Sequence, residues 1–301
     1  MTELYESFPI WLRLLAPFIM GTVVGSFVNV LIYRIPEDIS IITPPSMCPK
    51  CKHRLGPPDL VPLFSFLASG RKCRYCGQPV SWRYFSIEFL TGVVFAATVW
   101  QFGATANAVL LCALFASLIA SFFIDMGHFI IPDELNYFGI GIGLLRSITT
   151  NRPFGDNLYG RPEIGQAPSM GAALAGMVGL SLLLLVVTKA GNVMFRKQVA
   201  AQQKQWEEEG MLDEGEELEA MGLGDVKLAA AMGANLGLAG GLVGLFIGFG
   251  AGAIVGIILK MSKRLEGHAI PFGPYLIAGT VAALFYGAPI VTWYLGRMGI
   301  A

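Results

Sequence analysis

Two aspartates stand where an apolar chain carries acid only at a cost. Asp125, in Ala-Ser-Phe-Phe-Ile-Asp-Met-Gly-His, directly follows the apolar run 108–124, and Asp225, in Met-Gly-Leu-Gly-Asp, opens another that continues through Lys260. Carboxylates in or beside hydrocarbon face a cavity, a partner or a pathway, so each is a functional candidate. Two of them suit a pair that shares one proton, base and acid in one site. A second constellation is Cys48-Pro-Lys-Cys51 and, after twenty-one residues, Cys73-Arg-Tyr-Cys76-Gly77. Two Cys-x-x-Cys knuckles at that separation have the spacing of a four-thiolate zinc ribbon, Cys48, Cys51, Cys73 and Cys76 being the metal ligands. Redox-active thiols and reduced, metal-free cysteines are the alternatives. Cys112 lies inside an apolar run and reads as packing, and His53 as a surface residue rather than a fifth ligand.

The elements that must position these groups are apolar helices. Charged residues make up 14% of the chain and apolar ones 54%, with a mean hydropathy of +0.60, against roughly 25% charged in an average soluble domain. The expected fold class is an all-α polytopic membrane protein with about eight transmembrane helices and a small cytosolic four-cysteine, zinc-ribbon-like insert. Candidate spans are 9–33, 87–102, 108–124, 130–145, 170–190, 226–238, 239–259 and 272–295. The sixth is shorter than the roughly 20 residues that cross hydrocarbon. A cleaved signal peptide is the weaker reading of the first, since Glu3 and Glu6 precede it in place of a basic segment. The chain divides into 1–34, the insert 35–86, and a core 87–301 that carries an acidic loop at 190–220.

Eight alternating spans sort the loops into two sets. Segments 34–86, 189–227 and 260–271 hold sixteen Lys or Arg; the other side holds Arg13, Arg146, Arg152, Arg161 and Arg297. The positive-inside rule places the first set in the cytoplasm, and with it both Asp125 and Asp225. The basic residues of the insert (Lys50, Lys52, Arg54, Arg71, Lys72, Arg74, Arg83) suit anionic headgroups of the lipid bilayer better than nucleic acid. Between Glu207 and Glu219 eight of thirteen residues are acidic. That run is either a solvated loop or an electrostatic attractor for a basic peptide.

Taken in order, the motifs resemble those of type IV prepilin peptidases. Gly25-Ser-Phe-Val-Asn-Val-Leu-Ile-Tyr-Arg-Ile-Pro36 is similar to the family's first-span signature. The two cysteine knuckles, Pro62-Leu-Phe-Ser-Phe-Leu67 between them and Trp82-Arg-Tyr-Phe-Ser-Ile-Glu88 after them follow in the family's order. Ile124-Asp-Met-Gly-His-Phe-Ile-Ile-Pro-Asp133 resembles the first catalytic segment, and Met221-Gly-Leu-Gly-Asp-Val-Lys-Leu228 the Gly-x-Gly-Asp segment. Ile270-Pro-Phe-Gly-Pro-Tyr275 is similar to the motif before the last span. The segment 189–220 departs from the pattern by its length.

The resemblance implies a membrane aspartic endopeptidase that cleaves basic leaders from prepilins or pseudopilins, with Asp125 and Asp225 as the dyad. It also implies methylation of the new N-terminus from S-adenosylmethionine, for which Gly25, Asn29, Arg34 and Glu88 are the candidate cofactor residues. No Gly-x-Gly-x-x-Gly follows a strand pattern, so no Rossmann-type site is evident. Supporting roles fall to Gly222 and Gly224, which let a backbone approach Asp225, and to Pro271, Gly273 and Pro274, a rigid helix start or a substrate-holding segment. Asp133 reads as a helix cap or support for the dyad, Lys227 as a modulator of a nearby carboxylate or a snorkelling cation, and Glu88 as an interfacial acid beside Arg83. A peptidase without methyltransferase activity, a proton-coupled transporter and a zinc-anchored scaffold are the competing readings. The transporter reading is weakened by the placement of both acids at one boundary.

Overall fold

The computed structural model describes residues 7–149, 166–208, 221–262 and 271–297. Among them the chain is helical with no strands: α1 Ile10–Arg34, a short α2 Phe64–Ala68, α3 Trp82–Phe102, α4 Ala106–His128, α5 Asp133–Ile148, α6 Met170–Met194, α7 Arg196–Glu208, α8 Leu223–Met261 and α9 Gly273–Arg297. Five of these (α1, α3, α4, α6 and α8) are long and apolar enough to cross a membrane. The chain is a multi-pass membrane protein. It forms two compact units, Met1–His128 and Phe129–Ala301, a division that cuts the sequence elsewhere than at the ends of the insert.

In the first unit, α1 and α3 pack antiparallel in steps of four residues. A Cβ on Gly21 would fall 2.8 Å from Gly92 Cα, one on Gly25 would fall 2.8 Å from Glu88 Cα, and Asn29 Nδ2 donates to the Tyr84 carbonyl at 3.1 Å. Small residues four apart let two backbones approach where lipid supplies no hydrophobic drive. Helix α3 begins earlier than the apolar run suggests. Ser81 caps it, its hydroxyl accepting from the Arg83 amide, so Trp82, Arg83 and Tyr84 form its first turn. Helix α4 likewise carries Asp125 inside its last turn rather than beyond its end.

In the second unit the expected spans 226–238 and 239–259 are the two arms of α8. Gly237 is its one non-helical residue (φ 68°, ψ −177°), a conformation other residues rarely adopt. The chain reverses there. The Met232 methyl lies 3.2 Å from where a Cβ on Gly244 would sit, whereas twelve residues of straight helix would separate them by about 18 Å. The neighbours agree. Along α6, Ala172 and Gly176 meet Gly237 and Gly233, antiparallel to the first arm, while Gly179 and Leu180 meet Leu238 and Gly241, parallel to the second. The second arm then runs antiparallel to α9, through Gly244 with Gly279 and Gly248 with Leu276. The first arm runs parallel to α5, through Gly224 with Asn136 and Ala234 with Gly143. The alternation expected from hydropathy therefore holds through this unit. The starts of α5, α8 and α9 share one end of it.

One expected loop charge is a core residue instead. Arg146 lies in α5, fully buried, and its Nη1 donates to the Asn235 carbonyl at 3.3 Å and to Asn235 Oδ1 at 3.1 Å. In an unbroken helix the Asn235 carbonyl would accept from residue 239; the reversal at Gly237 intervenes, and Arg146 supplies a donor. Asn235 Nδ2 in turn donates to the Gly139 and Ala231 carbonyls, both at 2.9 Å. Removing Arg146 from the loop count leaves four basic residues opposite sixteen, which sharpens the charge asymmetry.

Candidate active site and metal centre

Asp225 sits in the first turn of α8. Gly222 precedes that turn in extended conformation (φ −65°, ψ 147°), the Asp225 amide donates to the Gly222 carbonyl at 3.1 Å, and the side chain is buried. The two glycines beside it differ. A Cβ on Gly224 would press on Ile131 Cβ and its carbonyl at 3.3 Å, whereas one on Gly222 would meet nothing closer than 3.9 Å. Close approach to Ile131 therefore requires Gly224, while the space at Gly222 stays open beside the Asp225 carboxylate.

Asn136, which the sequence did not single out, completes this corner. It is 1% exposed, its Nδ2 donates to the Gly224 carbonyl at 3.3 Å, and its Oδ1 is buried with no partner among the described residues. The available signal was an amide three residues after Asp133, inside an otherwise apolar helix. Asp133 itself does not cap α5. The N-cap position is Pro132, with no side-chain cap bond, and Asp133 instead pairs with Lys227, Nζ to Oδ2 at 2.6 Å. Lys227, over the Tyr137 ring at 6.0 Å, thus ties the first turn of α5 to the start of α8. Asp125 belongs to the first unit, where it is 4% exposed near the end of α4. Pro271 precedes α9, and Gly273 and Pro274 open it, with the Tyr275 and Leu276 amides on the Phe272 carbonyl. These residues form the start of α9, at the same end of the unit as Asp225.

The four cysteines of the insert converge. Their sulfurs all lie within 4.8 Å of one another, with Cys48 Sγ 3.9 Å from Cys76 Sγ. A tetrahedral thiolate site with metal–sulfur bonds of about 2.3 Å requires sulfurs about 3.8 Å apart, so the donor set fits a metal ion. Both knuckles use one backbone plan. The Cys48 amide donates to His53, as the Cys73 amide does to Gln78, and a return amide, Lys52 or Gly77, closes on the cysteine carbonyl at 2.9 Å. The Cys51 and Lys50 backbone amides pull the Cys48 thiol down to about 7. The Gln78 amide acts the same way on Cys76, but desolvation and the neighbouring thiols push that group up to about 11. His53 is no fifth ligand; it stacks on Tyr75 at 3.7 Å, and Tyr75 donates to Asp59 at 2.9 Å.

Comparison with known proteins locates these motifs. Residues 19–102 match the model of the bacterial peptidase A24 N-terminal domain, and residues 112–257 that of the type IV leader peptidase family. The chain belongs to the type IV leader peptidase family. Relatives named prepilin leader peptidase/N-methyltransferase match it nearly end to end. The protein from Xanthomonas campestris pv. campestris is 31% identical, over 93% of this chain and 94% of its own. That from Aeromonas salmonicida is 30% identical over 98% of each, and that from Legionella pneumophila 29% identical over 95% and 96%. No solved structure matches.

The candidate cofactor residues of this leader peptidase gather along the α1–α3 contact, and they divide by duty. Gly25 is packed against Glu88, and Arg34 is committed to loop backbone, donating to the Ser40 and Pro44 carbonyls at 2.8 and 2.7 Å. Glu88 does not pair with Arg83. It is buried, and its Oε2 accepts from the Leu63 amide at 2.8 Å. Asn29 Oδ1, one turn away, is buried without a partner among the described residues. An orphaned acceptor and a buried carboxylate on the same helix contact fit a cationic ligand such as S-adenosylmethionine. The expected acidic loop 190–220 is helical in its first part instead: α6 runs on to Met194 and α7 occupies Arg196–Glu208, ending at Glu207 and Glu208, while 209–220 lies outside the described residues.

Proposed function

We propose that this chain cleaves the leader from type IV prepilins or pseudopilins at the cytoplasmic face of the inner membrane, with Asp125 and Asp225 as an aspartate dyad, and then methylates the new N-terminus. The observation that carries the reading is the pair of buried carboxylates at helix ends, 4% and 8% exposed, each inside a motif of the family. One carboxylate of the pair is ionised and the other protonated. The ionised carboxylate takes a proton from water as the oxygen attacks the scissile carbonyl, and the other gives its proton to the carbonyl oxygen. Collapse of the tetrahedral adduct returns a proton to the leaving amine. Two close carboxylates cannot both ionise cheaply, so the pair titrates in two separated macroscopic steps. The open space at Gly222 admits a substrate backbone, and Asn136 holds the Gly224 carbonyl in place.

For the second activity, S-adenosylmethionine supplies, when bound, an electrophilic methyl group on a sulfonium. Asn29 Oδ1 and the Glu88 carboxylate are the acceptors this unit offers to its charged portion. The cysteine cluster holds a structural zinc ion that fixes the insert. The excess of basic residues on one set of loops supports a cytoplasmic site.

The test is a purified-protein assay on a prepilin peptide with S-adenosylmethionine, read by mass spectrometry. Cleavage is lost in Asp125→Ala and in Asp225→Ala but kept in Asp133→Ala, and Asn29→Ala loses the methyl increment while cleaving normally. Cleavage retained in either of the first two variants overturns the dyad.

A further inference from the structure

The insert carries an apolar edge at a measurable depth. The Leu63 amide is bonded to Glu88, six residues inside α3 from Trp82, which is about 9 Å along the helix axis. A second ruler agrees. Glu88 lies against Gly25, nine residues before the end of α1 at Arg34, or about 13 Å along that helix. Both helices are apolar enough to span the membrane. The segment around Leu63 is therefore drawn back alongside α1 and α3, short of their ends, rather than standing beyond them.

That segment is apolar and faces outward. In α2 only Phe66 is buried, against Trp82 and Phe85 at 5.2 and 5.4 Å. Phe64 is 66% and Leu67 61% exposed, and Leu60 and Val61 are exposed beside them. Ile41 and Ile42 are exposed in the loop that Arg34 ties back to the end of α1. Around this edge the charge is positive: residues 35–86 contain seven Lys or Arg and three Asp or Glu. The Arg71 guanidinium lies 5.1 Å over Trp82, and that of Arg83 lies 5.8 Å over Tyr84. Aromatic rings with basic partners mark a membrane–water interface.

We propose that the 60–67 edge of the insert is a membrane-docking surface that lies in the adjoining leaflet, with anionic lipid as its partner. The four-cysteine module is then held at the bilayer at two places, by the Glu88 latch and by its own apolar side chains. Depth favours lipid over a protein partner, because an exposed edge at that level meets acyl chains first. The proposal rests on α1 and α3 spanning the membrane and is independent of the peptidase reading.

The experiment places photoreactive benzoylphenylalanine at position 64, 67 or, as a control on the first knuckle, 50, in the full chain. Each protein is reconstituted in phosphatidylethanolamine bilayers with and without phosphatidylglycerol, irradiated, and its adducts weighed. Lipid adducts are expected at 64 and 67 in several-fold excess over 50, with higher yield when phosphatidylglycerol is present. Equal yields at all three positions, or protein adducts alone at 64, overturn the proposal. Yields that ignore the anionic lipid overturn its choice of headgroup. None of these readouts requires cleavage or methyl transfer.

Discussion

The two units bury polar side chains in apolar helices for different ends. In the first, Asn29, Arg34 and Glu88 reach from α1 and α3 toward backbone, and two of the three hold loop rather than helix: Arg34 the segment 40–44, Glu88 the amide of Leu63. In the second, Asn136 and Arg146 address helix backbone at irregular points, the Gly224 carbonyl at the start of α8 and the Asn235 carbonyl before Gly237, while the Asn235 side chain bonds the Gly139 and Ala231 carbonyls. Buried backbone groups without partners are costly wherever water is absent. The first unit uses that cost to fasten an insert, and the second to stabilise a broken helix beside an aspartate.

The sharpest way to break the comparison is Arg146→Met. It keeps the length of the stem but removes the Nη1 group that serves both Asn235 acceptors, and a hydrogen bond to a charged group contributes about 1.5–3 kcal/mol. The variant is expected to lower unfolding stability by that order in bilayers, and to loosen the reversal at Gly237. A double-mutant cycle with Asn235→Ala isolates the pair. Additive losses would show that Arg146 does not serve the reversal.

Next comes the latch in the other unit. Glu88→Ala leaves the part-buried Leu63 amide without its acceptor, at a cost of up to about 1–3 kcal/mol, whereas Glu88→Gln keeps an acceptor oxygen. Limited proteolysis within 57–68 is expected to accelerate several-fold in the alanine variant and little in the glutamine one. Equal acceleration would assign the effect to charge rather than to the amide. Smaller again is Gly222→Ala against Gly224→Ala. The second must push Ile131 aside and is expected to reduce cleavage several-fold with the fold intact; the first leaves stability unchanged, and any loss of cleavage in it reports on substrate approach.

How far these features were legible depended on whether their partners were local. Apolar runs located the long membrane helices, and the Cys-x-x-Cys pairs the four-cysteine cluster, because each signal resides in a few consecutive residues; α7, mostly polar, carries no such signal and reads as loop. Even the break in α8 was visible, as the join between 226–238 and 239–259, one residue from Gly237. Of the two readings of Asp133, the cap fails because its partner, Lys227, is 94 positions away. Glu88 was set beside Arg83 for the same reason, when its partner is the amide of Leu63. Arg146 passed for a loop charge because it ends an apolar run, and nothing in the sequence marks the Asn235 carbonyl as available. Asn136 and Asn235 went unnoticed because a neutral amide barely disturbs hydropathy, although inside hydrocarbon it must find partners as surely as a charge does.

The finest contrast lies inside the insert, between its knuckles. The residue after the second cysteine of each takes a left-handed conformation: Gly77 at φ 71° and Lys52 at φ 58°. Glycine adopts that region freely, while a side chain there costs about 1–2 kcal/mol. The two knuckles otherwise share one hydrogen-bond plan, so the difference in strain falls on a single residue. Lys52→Gly is therefore expected to strengthen the first knuckle, offset in part by the greater entropy of glycine in the unfolded chain. A slower release of metal to a chelator would record the gain, with cleavage unchanged. Gly77→Lys applies the opposite change to the second knuckle and is expected to speed release. If both substitutions moved release in the same direction, the lysine at 52 would be acting through its charge rather than its backbone.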